Sequence, residues 1–216
     1  MSQTSTVLTH RHFDYLRERT LADDDLLVSL KEAAKAAGLP EIAIAPEQAS
    51  LIQVLLRASG AREVVEVGTL GGYSAIWMAR ALPEGGRVRT IEVSERHARF
   101  AREWIERSDV AGRIEVHVGR GMDVLPRFEP GSADAAFLDA DKESYPAYLG
   151  ECLRIVRPGG LILVDNAFAF GRLLEAGEVD RDVAAVRAFN DLMARTAGLQ
   201  GVIVPLGDGM WVAVRT

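Results

Sequence analysis

The sequence predicts an α/β protein: a mostly parallel sheet covered by helices on both faces, preceded by cap helices and finished by an antiparallel C-terminal hairpin. Three observations predict it. Val64-Val65-Glu66-Val67 is a β-branched run that passes through Gly68-Thr69-Leu70-Gly71-Gly72 into a helix starting near Tyr73, the strand, glycine turn and helix that open a βαβ nucleotide site. From Glu63 onward, short apolar runs alternate with helical patterns, as in a parallel sheet with helices on both faces. Near the end, Gly207-Asp208-Gly209 separates two apolar runs and closes a hairpin.

Taken in order, residues 1–20 carry a weak helical pattern. His10 and His12 lie within it and could ligate a metal only with distant partners. Asp23 to Ala37 places Leu26, Leu27, Leu30, Ala33 and Ala34 at helical spacing, and Gly38 and Pro40 stop the helix. Pro46 suits a first helical position, and Ala49, Ile52, Leu55 and Leu56 share a face before Gly60. Strands are expected at about 63–67, 87–92, 114–118, 133–138 and 160–165, with helices at about 73–82, 94–108, 121–128 and 144–157. Ser94 stands where an N-cap belongs, Pro158-Gly159-Gly160 reads as the turn into the fifth strand, and a last helix covers about 180–196.

Composition narrows the function. The 216 residues, 48% of them hydrophobic, suffice for one core, and no stretch reads as an interdomain linker. A net charge of −6 disfavours a nucleic-acid partner. The lone Cys152 lies in a helical pattern, so it reads as a buried thiol and neither a disulfide frame nor a cysteine metal site is expected. No run approaches the ~18 apolar residues of a membrane span, and Met1 to Thr9 is too polar for a signal peptide, so a cytoplasmic location is expected.

The chemistry collects at predicted strand ends. The spacing Gly-x-x-Gly-Gly differs from the dinucleotide fingerprint, so no pyrophosphate cradle is implied. Glu66, two residues before Gly68, suits a positive or hydrogen-donating ligand. Glu92 ends the second strand 24 residues after Gly68, where an acid accepts from both ribose hydroxyls; the competing reading is a cap for the next helix. Gly119-Arg120-Gly121-Met122 is either a plain turn or a backbone surface for adenine with Met122 as an apolar wall.

Asp139 ends the fourth strand and Asp165 the fifth. If those strands pair at ~4.8 Å, the two carboxylates emerge side by side and repel unless a cation joins them; otherwise they are unrelated loop acids. Asn166 adds a neutral oxygen, completing a set suited to Mg²⁺, Mn²⁺ or Ca²⁺ rather than zinc. Lys142, three residues on from Asp139, either faces the same cavity, where a nearby cation drives it toward general-base use, or pairs with Asp141. His97 and His117 read as surface or core, and Trp77, Met78 and Trp104 as core packing.

With these residues set out, the chain resembles the cation-dependent class I O-methyltransferases, which include caffeoyl-CoA, catechol and many bacterial small-molecule O-methyltransferases. The likeness runs from about Pro46 to the C-terminus. It rests on Glu66-Val-Gly-Thr-Leu-Gly-Gly-Tyr-Ser74, Asp139-Ala-Asp-Lys-Glu-Ser-Tyr145, Arg157-Pro-Gly-Gly160 followed by Asp165-Asn166, and Pro205-Leu-Gly-Asp-Gly209, in that order.

The resemblance implies a Rossmann-like, seven-stranded sheet whose last strand is antiparallel; the chain itself reads as a single domain, with residues 1–58 as a helical cap and 59–216 as the core. It implies S-adenosylmethionine as cofactor, with Glu66, Gly68, Thr69 and Ser74 around its methionine and ribose parts. Glu92 would hold the ribose, the Gly121 backbone would meet adenine, and Asp141 would lie near the methionine amine. Asp139, Asp165 and Asn166 would bind the cation, Mg²⁺ foremost, and Lys142 would assist deprotonation. Relatives are commonly homodimers, with the N-terminal helices helping to cover the acceptor.

Three departures stand out. Ile44 replaces a common cofactor-touching threonine, leaving only its backbone to serve. Gly119-Arg120-Gly121 replaces Gly-Asp-Ala and adds a cation near the adenine pocket. Ala167-Phe168-Ala169-Phe170 stands where a tryptophan is often found. The expected reaction is methylation of a hydroxyl on a small catechol-like aromatic. The alternatives are another acceptor, or a cofactor-binding module without catalysis.

Overall fold

The computed structural model describes residues 6–216, so part of the polar N-terminal stretch lies outside the described residues. Three helices come first: α1 (His10–Arg17), α2 (Asp25–Ala36) and α3 (Pro46–Ser59). Asp24 caps α2 by accepting from the Leu27 amide at 3.0 Å, and Gly60 ends α3 in the left-handed conformation (φ 65°). The alternating region follows as β1 (Glu63–Val67), α4 (Tyr73–Ala81), β2 (Arg87–Glu92), α5 (Glu95–Glu106), β3 (Ile114–Val118), α6 (Gly121–Val124), β4 (Ala133–Leu138), α7 (Tyr145–Ile155) and β5 (Val156–Val164). The chain closes with α8 (Arg181–Arg195), β6 (Leu199–Val204) and β7 (Met210–Arg215).

The sheet order is β3-β2-β1-β4-β5-β7-β6. The C-terminal hairpin inserts its second strand first: β7 pairs antiparallel with β5 and with β6, so β6 runs with the parallel set and β7 alone runs against it.

Two boundaries differ from the sequence expectation. The helix expected over 121–128 lasts one turn before Pro126 forces a 3₁₀ turn at Leu125–Arg127. The fifth strand begins at Val156, before Pro158-Gly159-Gly160, because those residues form a bulge rather than a turn: Ala133 faces Val156 while Ala135 faces Leu161.

Strand alternation builds two apolar layers. Val64, Phe137 and Leu163 face α2, α3 and α4; Val65, Leu138 and Val164 face α7 and α8. The cap helices belong to the first layer through Leu27, Leu30, Ile52 and Leu56. Trp77, Met78 and Trp104 are buried there as expected, and Cys152 is buried in the second layer, where burial pushes its thiol up to about 12. Among the described residues, no helix is long and apolar enough to cross a membrane.

Candidate active site

Parallel register delivers the acids to one edge. Val67 faces Leu138 and Leu138 faces Val164, so Asp139 and Asp165 leave adjacent strand ends together. The Asp139 amide donates to the Val67 carbonyl at 2.9 Å, and the Asp165 amide to the Leu138 carbonyl at 3.0 Å. The pairing condition set by the sequence holds.

A cavity of about 320 Å³ opens over the β1 turn. Ile44, Gly68, Thr69, Ser74, Glu92, Gly121 and Asp141, seven of the eight residues expected around the cofactor, line it. Gly68 has φ 103°, and a Cβ there would fall 1.8 Å from the Asp139 carbonyl oxygen, so only glycine lets these two chain segments touch. The eighth residue, Glu66, does not reach the surface of the cavity and lies buried beneath it. One of its oxygens accepts from the Ser74 hydroxyl at 2.5 Å, and the other has no hydrogen-bond partner.

Glu92 serves both competing readings. It lines the cavity, and its carboxylate also accepts from the Leu70 amide at 2.8 Å and the Ser94 amide at 2.9 Å, bracing the glycine turn and the entry to α5. Ser94 itself caps α5 through the His97 amide at 3.3 Å. His97 lines the cavity, its ring 3.7 Å from Glu92, which the helical pattern alone did not indicate. His117 packs edge-on against Phe128.

One expectation about the adenine end is corrected. Met122 is exposed and lines no part of the cavity, because the one-turn α6 turns it outward; the wall against Gly121 is Tyr148, whose ring would lie 2.5 Å from a Cβ placed there. Arg120 is exposed and does not itself line the cavity, but its charge acts on Tyr148, which does. The Tyr148 hydroxyl donates to Asp141 at 2.7 Å, orienting that carboxylate toward the cavity.

Burial pushes the Glu66 carboxyl from 4.5 up to about 8, against the lowering effect of the Ser74 hydroxyl. A group whose folded pKa is raised holds its proton in the folded chain while the unfolded chain releases it. Its contribution is therefore whole below pH 4.5 and is lost as pH rises toward 8. At about 1.4 kcal/mol per pKa unit the change amounts to several kcal/mol. Melting of the cofactor-free protein should show Glu66→Gln gaining on the wild type steadily from pH 5 to pH 8; parallel curves would contradict a buried, protonated Glu66.

A second cavity of about 500 Å³ adjoins the first, sharing Asp139, Ala140 and Asp141 and the cap residues Ile42, Ala43 and Ile44. Asp139, Lys142, Asp165 and Asn166 line it. Lys142 is 7% exposed and does not pair with Asp141. Its ammonium donates to Asn166 Oδ1 at 2.5 Å and Tyr145 Oη at 2.7 Å, and lies 3.3 Å from Asp139 Oδ1. Burial raises the carboxyl pKa of both Asp139 and Asp165; Lys142 lowers that of Asp139, and the charge of Asp139 raises that of Asp165 further.

Two neighbouring carboxylates that resist joint ionisation, Asp165 buried and Asp139 half-buried, with the Asn166 amide lining the same cavity, are donors that a hard divalent cation would satisfy. The residues present fit such an ion. Among the described residues no group of three His, Cys, Asp or Glu side chains forms a metal cluster, so the third donor would be the Asn166 amide.

Sequence reasoning missed Gln48, Tyr145, Tyr148 and Asp208. Gln48, buried in the first turn of α3, accepts from the Ala45 amide and donates to Asp165 Oδ1 at 2.7 Å. Asp208, read only as a turn residue, reaches Asn166 and the segment after it. The tyrosines of α7 carried one available signal, the spacing Lys142-x-x-Tyr145-x-x-Tyr148, which puts all three on one side of the chain.

A nucleoside-sized cavity and an acid-lined cavity meeting at the carboxyl edge of a mostly parallel sheet define a two-substrate enzyme of the doubly wound α/β class. The O-methyltransferase family model matches residues 17–216, reaching farther toward the N-terminus than the motifs did. A catechol O-methyltransferase of Niastella koreensis is 34% identical over 93% of this chain and 94% of its own. The catechol O-methyltransferase of Mycobacterium tuberculosis is 39% identical over 88% and 86%. The crystal structure of an O-methyltransferase from Bacillus cereus in complex with SAH (S-adenosylhomocysteine) superposes with a TM-score of 0.86 at 36% identity, covering 95% of this chain and 97% of that one. The chain belongs to the O-methyltransferase family and is an S-adenosylmethionine-dependent O-methyltransferase.

Proposed function

We propose that the enzyme methylates one hydroxyl of a small catechol-like aromatic, or another aromatic with vicinal hydroxyls, held on a divalent cation at Asp139, Asp165 and Asn166. The observation that carries this reading is the emergence of Asp139 and Asp165 from paired strand ends, with Asn166 next to Asp165, all three lining the second cavity. The names of the two catechol O-methyltransferase relatives support it.

When bound, S-adenosylmethionine supplies the methyl group as a sulfonium, and the cation supplies charge that favours a phenolate. The chain's own residues do the rest. Glu92 accepts from the ribose, the Gly121 backbone and Tyr148 bracket the adenine, and Asp141 takes the methionine amine. Glu66 lends polarity from beneath through Ser74. Lys142, fixed by Tyr145, assists the removal of the proton of the reacting hydroxyl. The segment Ile42 to Ile44, which borders both cavities, excludes water and orients the two reactants for in-line transfer. A homodimer, with the N-terminal helices covering the acceptor, belongs to the same reading.

Methyl transfer to a panel of catechol-type phenols should require Mg²⁺ or Mn²⁺, vanish with EDTA and return with added metal. Activity that survives chelation would refute the cation assignment. Activity restricted to monohydroxy acceptors would refute the vicinal-hydroxyl class.

A further inference from the structure

Asn166, Ala169 and Phe170 have φ values of 63°, 54° and 58°. L residues rarely adopt this conformation, and it persists only where the surroundings impose it. At Asn166 and Phe170 one side chain from the hairpin, about 40 residues away, holds the segment. Asp208 Oδ2 accepts from Asn166 Nδ2 at 3.1 Å and from the Phe170 amide at 2.7 Å, and Oδ1 accepts from the Gly171 amide at 2.9 Å. Two backbone bonds reinforce the contact: the Phe168 amide donates to the Asp208 carbonyl and the Ala167 amide to the Gly209 carbonyl.

The Asn166 amide is thereby held at both ends. An ammonium only donates and a carboxylate only accepts, so Lys142 selects Oδ1 and Asp208 selects Nδ2. The orientation that turns oxygen into the acceptor cavity follows from these partners. The same carboxylate sets Phe170, which lines that cavity with its ring 5.8 Å from Lys142 Nζ although the residue is 54% exposed.

We propose that Asp208 is a positioning residue for the acceptor half of the site, holding Asn166 with its oxygen inward and clamping the left-handed Phe170-Gly171 backbone, so that cation donor and aromatic wall are placed together. This inference rests on the cation reading for its Asn166 half, while the Phe170 half stands on the clamp alone.

The test is a double-mutant cycle read by Mn²⁺ affinity of the full chain, with affinity for S-adenosylhomocysteine as control. In Asp208→Asn an amide group faces three donors, so the Asn166 amide loses its orientation. Mn²⁺ affinity should fall about tenfold, as on loss of an outer partner of a metal ligand, with cofactor-product affinity unchanged. On an Asn166→Asp background a symmetric carboxylate needs no orienting, and the amide introduced by Asp208→Asn can donate to it. Asp208→Asn should there change Mn²⁺ affinity by no more than about twofold. Equal losses on both backgrounds, or none on either, would overturn the orienting role.

Amide hydrogen exchange of the metal-free wild type tests the clamp without any variant. The Phe170 and Gly171 amides should exchange slowly despite their exposed position, and rapid exchange would overturn it. A wild type that binds no Mn²⁺ would remove the cation reading, and with it the Asn166 half, while exchange still decides the Phe170 half.

Discussion

Asp165→Ala is expected to abolish metal-dependent turnover while leaving the dissociation constant for S-adenosylhomocysteine nearly unchanged. The carboxylate lines the second cavity and not the first, so under the proposed function the two roles separate in space. Charge stabilisation by a bound cation is worth several kcal/mol, which makes a loss of about 10³-fold or more in kcat/KM the expected scale. The variant also leaves the Gln48 amide without the acceptor it meets at 2.7 Å, at a cost of about 1–3 kcal/mol in stability. Cofactor-product binding by calorimetry separates lost function from lost fold. Undiminished turnover in a folded variant would remove Asp165 from the cation site.

Lys142→Met carries the second large effect. A positioned base contributes about 10²–10⁴-fold, and kcat should fall by that order. The same substitution removes a positive charge that lies 3.3 Å from Asp139 and donates to Asn166 Oδ1. Mn²⁺ should therefore bind more tightly to the variant than to the wild type, since the lysine repels the ion its neighbours attract. A purely structural lysine would show the opposite pattern: weaker Mn²⁺ binding, weaker product binding and a kcat that recovers when the protein is stabilised. Opposed changes in kcat and metal affinity are thus the signature of a base beside a cation.

These outcomes turn on residues that differ in how visible they were before folding. Glu92, Asp139 and Asp165 could be found because each ends a short β-branched or apolar run, and a parallel sheet brings such ends to one edge; Glu66 could be found as the one acid inside such a run. The glycine turn was visible for the same local reason, since residues that must take positive φ or admit a close backbone approach are restricted in type. Most of the residues singled out beforehand accordingly line the first cavity. Glu66 lies beneath the cavity rather than in its lining, because alternation along β1 turns its side chain to the face that carries Val64, beneath α4.

Other placements were less legible. Met122 had the right chemistry for an apolar wall, but Pro126 cuts the helix short, and Tyr148 from another element fills the place against Gly121. Lys142 had Asp141 beside it in sequence, but the 3₁₀ turn at Lys142–Ser144 sends the ammonium inward to Asp139 and Asn166, while Tyr148 takes Asp141.

By itself the sequence determined the strand and helix pattern, the glycine turn and the acids at the strand ends, because periodicity and backbone restriction act over a few neighbouring residues. Tertiary structure alone decided that Gln48 meets Asp165 across 117 residues, that Asp208 holds Asn166 across 42, and that β7 lies between β5 and β6. Those partners share no local pattern. They meet because a buried polar group must find a complementary donor or acceptor when the layers close, and only the packed chain specifies which one lies within reach.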